Sequence, residues 1–398
     1  MTVPFGSTYE PISVLSNGLL AYSRTPFVTT YTGWGAIDAN AFNPKTDIST
    51  ISGSSKLESM ADLDGDGKPD LIVLSLGLNI LSVHRNTTTQ QGVVNYASRV
   101  DYSTGATPYG VAVGDLDGDG KLDIAVPNYS NNTVSVFRNT SGVGAIGFAA
   151  RVDFTTGIGP ISVAIGDFDK DGRADLAATA YGSGGGGNQV SILRNTSSGI
   201  GVVSFATKID KTTGTSPSFV SAGDLDGDGK VDLAVANFGS ASVSLLRNTS
   251  TVGVINFATK LDRPTGSNPS RVSLGDINSD GKVDIAVVNS NGTGNGSISV
   301  LRNTSSGPGT ITYATKVDYG TGFSPGSLSI GDLDGDNKMD LAVCSGGSIS
   351  VFKNTSATGG ALSYAAKIDY SIGVINGVSI GDIDGDGKSD LVTLSFSS

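Results

Sequence analysis

GDLDGDGKLD, residues Gly114–Asp123, decides the fold of this chain because it does not stand alone. Related decapeptides begin at Ala61 (ADLDGDGKPD), Gly166 (GDFDKDGRAD), Gly223 (GDLDGDGKVD), Gly275 (GDINSDGKVD), Gly331 (GDLDGDNKMD) and Gly381 (GDIDGDGKSD). Their first Asp falls at 62, 115, 167, 224, 276, 332 and 382, in steps of 50 to 57 residues. Repetition at that period along a 398-residue chain overrides the usual expectation of two or three unrelated domains. One supersecondary unit, repeated seven times, has to account for nearly the whole sequence.

Read outward from Gly110, a unit contains four short stretches of β character: VAVGD, DIAVPN, TVSVFRNT and IGFAARVDF, here called strands a, b, c and d. Clusters of Gly, Asn, Ser and Asp separate them, the punctuation of a small antiparallel sheet. Of the 37 acidic residues only Glu10 and Glu58 are glutamates, and Asp is disfavoured in helix interiors and favoured in turns. The expected fold is therefore all-β: a single seven-bladed β-propeller of four-stranded antiparallel blades over 1–398. Ring closure is expected from the chain ends. After Asp390 only LVTLSFSS remains, enough for strand b, while residues 12–33 contain ISVLSN, which reads like the c segment SVFRNT. Those N-terminal strands are expected to complete the last blade, with 34–57 as an inserted inter-blade loop. A linear solenoid would have no use for complementary ends.

The acidic decapeptide carries the chemistry. In Asp-x-Asp-x-Asp-Gly-x-x-Asp, hard oxygen ligands stand at positions 1, 3, 5 and 9, the position 7 carbonyl adds another, and Gly at position 6 permits the sharp turn. The expected ligands are Asp62, Asp64, Asp66, Lys68 and Asp70; Asp115, Asp117, Asp119, Lys121 and Asp123; Asp167, Asp169, Asp171, Arg173 and Asp175; and Asp224, Asp226, Asp228, Lys230 and Asp232. The fifth loop offers Asp276, Asn278, Asp280, Lys282 and Asp284, with one uncharged amide. The sixth has Asp332, Asp334, Asp336, Lys338 and Asp340 but Asn337 for Gly, and the seventh has Asp382, Asp384, Asp386, Lys388 and Asp390. Up to seven Ca²⁺ ions are expected, one per blade. At position 12 an EF-hand would place a bidentate Glu, where the first loop has Val73, so affinities of about 10⁻⁵ to 10⁻³ M are expected. Seven such ions would turn the formal charge of −11 into +3. No basic run or patch is visible, so nucleic acid is not an expected partner.

These loops and their surrounding units resemble FG-GAP repeats of the VCBS type, found in extracellular bacterial proteins and related to the calcium-bearing blades of integrin α-subunit propellers. The resemblance spans about Ile12 to Ser398. It implies a calcium-stabilised binding propeller, similar to propeller lectins and adhesins, although other such repeats accompany polysaccharide-degrading enzymes. The expected protein is a secreted or cell-surface recognition module that binds carbohydrate or protein in adhesion. A propeller-fold polysaccharide lyase or hydrolase, or a purely structural spacer, is the alternative. Residues Met1 to Glu10 lack the basic start and apolar stretch of a secretion signal, so the chain is expected to be a mature or trimmed segment, and no run of about 18 apolar residues predicts membrane insertion.

Other recurrent residues receive structural readings. Asn-Thr-Ser or Asn-Thr-Thr follows strand c at Asn86, Asn139, Asn195, Asn248, Asn303 and Asn354, which fits a glycosylation sequon and, better, a turn held by side-chain to backbone hydrogen bonds. The triplets ending at Asp101, Asp153, Asp210, Asp262, Asp318 and Asp369 place opposite charges on strand d, where they would guard an outer edge. Tyr96, Phe148, Phe205, Phe257, Tyr313 and Tyr364 share one strand d register and are expected in the core. His84, the only His, stands where other units have Phe137, Leu193 or Leu246, and Cys344 aligns with Ala236; both read as packed residues. Once loop and triplet aspartates are set aside, few carboxylates remain for acid–base work, and no nucleophile, base and orienting group can be assembled. The chain is therefore not expected to be an enzyme. Ligands are expected on the face opposite the calcium loops, at Tyr109, Tyr129, Tyr181 and Phe238, and at Trp34, Asp38 and Phe42 in the insertion, which either binds or merely caps the ring.

Overall fold

Strand b of each unit opens on the last Asp of the acidic loop and runs through a short apolar stretch. Asp123–Asn128 (DIAVPN), Asp232–Asn237 (DLAVAN) and Asp284–Asn289 (DIAVVN) are buried at every position. Burial of both faces explains why these strands read as continuous apolar runs instead of alternating ones: a sheet lies against each side. Strand d is the opposite case, with Val152–Thr155 exposed at three of four positions, as an outer edge requires.

The computed structural model describes residues 11–16, 19–26, 37–38, 41–42, 48, 55–292, 294–373 and 375–395. Blade 4 shows the pattern: Pro217–Gly223, Asp232–Asn237, Ser242–Leu246 and Leu261–Pro264 form an antiparallel sheet in sequence order. Six such four-stranded sheets follow one another along the chain, spanning 55–103, 112–155, 163–212, 217–264, 269–323 and 325–371. Apolar side chains of neighbouring blades merge between them; Val190 and Ile192 of blade 3 pack with Val220, Leu233 and Val235 of blade 4. The a strands meet around a channel of about 460 Å³, into which Val163, Val220, Val272 and Leu328 contribute. There the Arg271 guanidinium lies 4.7 Å from the centre of the Phe219 ring.

Among the described residues six complete blades are found, not the expected seven. The seventh unit is a two-stranded sheet, Ile375–Gly381 with Asp390–Ser395, and Pro11–Ser16 with Leu19–Pro26 is a separate antiparallel hairpin with Ser13 opposite Tyr22. The two segments expected as strands c and d of that blade thus pair with each other, and no ladder joins their hairpin to Asp390–Ser395 among the described residues. The half-blade nevertheless takes its place in the circle, because Ile375–Gly381 packs on one side against Pro325–Gly331 and on the other against Ser55–Ala61.

Ile37 and Phe42 of the 34–57 insertion pack against the propeller, while Asp38 and Ala41 beside them are exposed. Ile37 is buried with Cys344, Ile349 and Val378, Phe42 sits on the Tyr370 ring edge-on at 5.1 Å, and the Tyr370 hydroxyl donates to the Asp38 carbonyl at 2.5 Å. Trp34 lies outside the described residues. The aromatic series from Tyr96 to Tyr364 is core, as expected, but precedes strand d: each pairs through an isolated bridge with the Asn that ends strand c.

Candidate metal centres

Each acidic loop folds around its own carboxylates. In the first, Asp62 accepts backbone N–H bonds from Gly65 and Gly67 at 2.8 Å, Asp64 accepts from Asp66 at 3.1 Å, and Asp66 accepts from Lys68 at 3.0 Å. The turn needs positive φ at positions 4 and 6, supplied by Gly65 and Gly67 (φ 76° and 85°). Asn337 adopts it at φ 64° in place of Gly. The position 9 carboxylate anchors the loop to the blade: Asp70 accepts from Leu63 N–H at 2.9 Å and from Asn86 N–H at 2.8 Å, and the same two bonds recur at Asp123, Asp175, Asp232, Asp284 and Asp340.

Three carboxylates converge within 4.8 Å of one another at Asp62, Asp64 and Asp66; at Asp115, Asp117 and Asp123; at Asp167, Asp169 and Asp175; at Asp224, Asp226 and Asp232; and at Asp332, Asp334 and Asp336. Burial, opposed only in part by the N–H bonds, pushes the position 9 acids up, Asp175 to about 8 and Asp70, Asp232, Asp284, Asp340 and Asp390 to about 7. Neighbouring carboxylates add to the shift. Such sites can hold a metal ion, and two observations fit one. Asn278 Oδ1, at position 3 of the fifth loop, is buried without a hydrogen-bond partner, as a ligand oxygen awaiting a cation would be. Elsewhere basic groups stand where a cation would be drawn: Arg85 pairs with both Asp64 (2.5 Å) and Asp66 (2.9 Å).

The loops also lie at blade boundaries. Gly144 N–H of blade 2 donates to Asp64 of blade 1 at 3.0 Å, Gly201 to Asp117 at 2.9 Å, and Gly309 to Asp226 at 2.8 Å. Beside these contacts, the Asn of each Asn-Thr-Ser/Thr turn staples its blade to the one before. Asn248 Nδ2 donates to Val231 O in its own blade and Phe168 O in blade 3, both at 2.8 Å, while Oδ1 accepts from Ser250 N–H. Asn86 makes the equivalent reach from blade 1 to Ile383 O of the half-blade at 2.9 Å, across the junction of the chain's two ends. All six Asn are buried and all six Nδ2 are donating, so the turn reading of the sequons holds in the folded chain.

FG-GAP-like repeats match residues 62–126, 127–178, 224–287, 276–343 and 332–393, well over half of the sequence. The chain belongs to the FG-GAP-like repeat family. This FG-GAP propeller is similar in fold to a Bacteroides fragilis protein provisionally named a 6-phosphogluconolactonase, at 15% identity over 87% of this chain and 100% of that one, with a TM-score of 0.52. It also resembles an Agrocybe aegerita lectin described as recognising non-reducing terminal N-acetylglucosamine, at 16% identity over 87% of each chain and a TM-score of 0.49. No curated protein matches the sequence significantly.

On the opposite face of the FG-GAP propeller, where the b strands end, four of the seven expected ligand residues meet. Tyr109 and Tyr129 of blade 2 have ring centres 6.0 Å apart, Tyr181 of blade 3 lies edge-on to Phe238 of blade 4 at 6.5 Å, and the Tyr129 hydroxyl donates to Gly182 O at 3.3 Å. All four are half-buried. Glycine is required beneath them at 159, where φ is 63° and a Cβ would come within 2.9 Å of the Tyr129 ring. Asp38 and Phe42 do not join them; their partner is Tyr370, on blade 6.

Two repeated features went unread in the sequence. The Arg or Lys before each turn Asn (Arg85, Arg138, Arg194, Arg247, Arg302, Lys353) points toward the acidic loop in several blades, a signal visible in the six R/K-N-T tripeptides. The strand d aspartates do more than guard an edge. Ser82, Ser135, Ser191, Ser244, Ser299 and Ser350 of strand c each donate to one of them at 2.6 Å, and the Ser stands three residues before the basic residue in every unit. His84 is buried with Nε2 unpartnered, as a substituted core residue.

Proposed function

We propose that this FG-GAP propeller is a calcium-stabilised recognition module, working outside the cell, that binds carbohydrate through Tyr109, Tyr129, Tyr181 and Phe238. The observation that carries the reading is the gathering of three phenols and a phenyl ring, contributed by three blades, on the face away from the acidic loops. Half-buried rings are held in fixed orientation and present apolar faces to sugar C–H groups, while phenol hydroxyls and the backbone of the glycine loop offer hydrogen bonds. Calcium is the cation of choice because the donors are hard oxygens from carboxylates, an amide and main chain, with no His or Cys among them. Weak sites of this kind fill in millimolar extracellular calcium. No catalytic role is proposed, since the one His is sealed in the core and the loop carboxylates are committed to turns and blade contacts.

A glycan array probed with the full chain in 2 mM Ca²⁺ (about the extracellular level) tests this. Retention of a defined set of glycans by the native chain and its loss in Tyr129→Ala/Tyr181→Ala is the expected result. Retention unchanged by the double substitution, or capture of no glycan at all, overturns the carbohydrate reading. Calorimetric titration with Ca²⁺ checks the metal separately.

A further inference from the structure

The seven loops share a motif but differ in what their basic neighbours do. In loops 1 and 3 the strand c arginine straddles positions 3 and 5: Arg85 on Asp64 and Asp66, and Arg194 on Asp169 (2.5 Å) and Asp171 (2.9 Å). Lys353 does the same in loop 6, against Asp334 and, at 3.3 Å, Asp336. In loop 3 the position 7 side chain converges on the same carboxylate, with Arg173 2.6 Å from Asp171, whereas Lys68 of loop 1 stays 3.9 Å from Asp66. Loops 2, 4 and 5 are arranged otherwise. There the position 7 lysines, Lys121, Lys230 and Lys282, turn away to donate to Ser141 O, Ser250 O and Ser305 O. Arg138 approaches Asp117 only to 3.8 Å, Arg302 donates to Gly359 O, and Arg247 makes no ion pair with its loop among the described residues.

We infer that Arg85, Arg194 and Lys353 are tethered counter-cations that compete with calcium, dividing the loops of the six complete blades into a self-neutralised class (1, 3 and 6) and an open class (2, 4 and 5). The inference rests on the calcium reading above. Position 3 carboxylates are buried in both classes, Asp117 and Asp226 included, so each favours a positive charge beside it, but only in the first class does a basic side chain rest directly on one. A guanidinium or ammonium on the ligand oxygens supplies that charge, holds the loop in shape without metal, and must move off or share those oxygens when a dication enters. The open class has no such substitute, so its loops bind first and depend most on the ion. Blades 1, 3 and 6 therefore keep their boundaries when calcium is scarce.

The test titrates Ca²⁺ into the full, chelator-stripped chain by calorimetry and follows thermal unfolding with and without chelator. Native protein is expected to show two classes of site. Arg194→Gln moves one site from the weak class to the tight one, tightening it about tenfold as a repelling unit charge is removed, and lowers the melting temperature in chelator but not in saturating calcium. The triple variant R85Q/R194Q/K353Q moves three, and should it not fold, the single variant carries the test alone. Arg247→Gln leaves both isotherm and chelator melt unchanged. A single class of sites with an isotherm indifferent to Arg194→Gln, or weaker binding in that variant, overturns the counter-cation inference and leaves the calcium reading intact. No heat and no thermal shift on adding Ca²⁺ overturns both.

Discussion

Replacing Asn248 by Ala removes the staple between blades 3 and 4, and its cost can be worked from the bonds lost. The buried carbonyl of Phe168 and the half-buried one of Val231 lose their Nδ2 donor, and Ser250 N–H loses its acceptor. A buried polar group left without its partner costs about 1–3 kcal/mol, so three such groups, partly relieved by relaxation of the turn, give about 3–5 kcal/mol. Because Asn248 is fully buried, water cannot enter without displacing Phe257 and its neighbours, which keeps the estimate toward the upper end. Urea unfolding at constant calcium concentration measures the change, and Thr249→Ala serves as control, since Thr249 Oγ1 only accepts from exposed Asn256 Nδ2 and is expected to change stability by less than about 0.5 kcal/mol. Asn248→Asp should be worse than Asn248→Ala, because a carboxylate would then face two carbonyl oxygens. A loss below about 1 kcal/mol in Asn248→Ala, or a neutral Asn248→Asp, would refute the view that these residues hold neighbouring blades together.

Burial lowers the His84 pKa, so the native state holds the neutral imidazole and the unfolded chain takes up the proton more readily. Stability from this residue is complete above the unfolded value of about 6.5 and declines as pH falls below it, with a limiting slope of ~1.4 kcal/mol per pH unit; His84→Leu should remove that decline, seen as a difference between the two proteins' stabilities that widens from pH 8 to pH 5. Burial likewise pushes the Cys344 thiol up to about 11, and in the folded protein it should be inert to a thiol-exchange reagent at pH 8, reacting only at the rate of unfolding; rapid labelling without denaturant would contradict its place in strand b of blade 6. Ala241 holds a left-handed conformation at φ 47°, so Ala241→Gly should raise stability by about 0.5–1 kcal/mol, read as a higher urea midpoint at unchanged slope.

What the sequence made legible was whatever repeats within one unit. Strand b was readable to the residue in DIAVPN because both its faces are covered and it starts at a carboxylate that accepts two backbone bonds. The turn role of Asn139 and its counterparts was readable because one side chain at one register in six units points to one local geometry. The gathering of Tyr109, Tyr129, Tyr181 and Phe238 followed from knowing where strand b ends. Pairing between the chain's two ends has no such internal copy. ISVLSN looks like a strand c and pairs with the segment after it as a strand c does with its d, yet a period-two pattern names a strand without naming the neighbour on its other edge. Charges were hard to read for a related reason. Arg194 and Arg247 occupy the same place in identical R-N-T tripeptides, but one lies on two carboxylates and the other does not, because the outcome depends on the neighbouring blade's turn and on where Arg173 or Lys230 points. Identical motifs in a ring therefore need not be equivalent sites. Loops 1 and 2 each accept a backbone N–H from the next blade, so their surroundings are set jointly by two blades, and where counterpart residues differ, as at Arg173 and Lys230, the repeats are free to diverge in local electrostatics while keeping one fold.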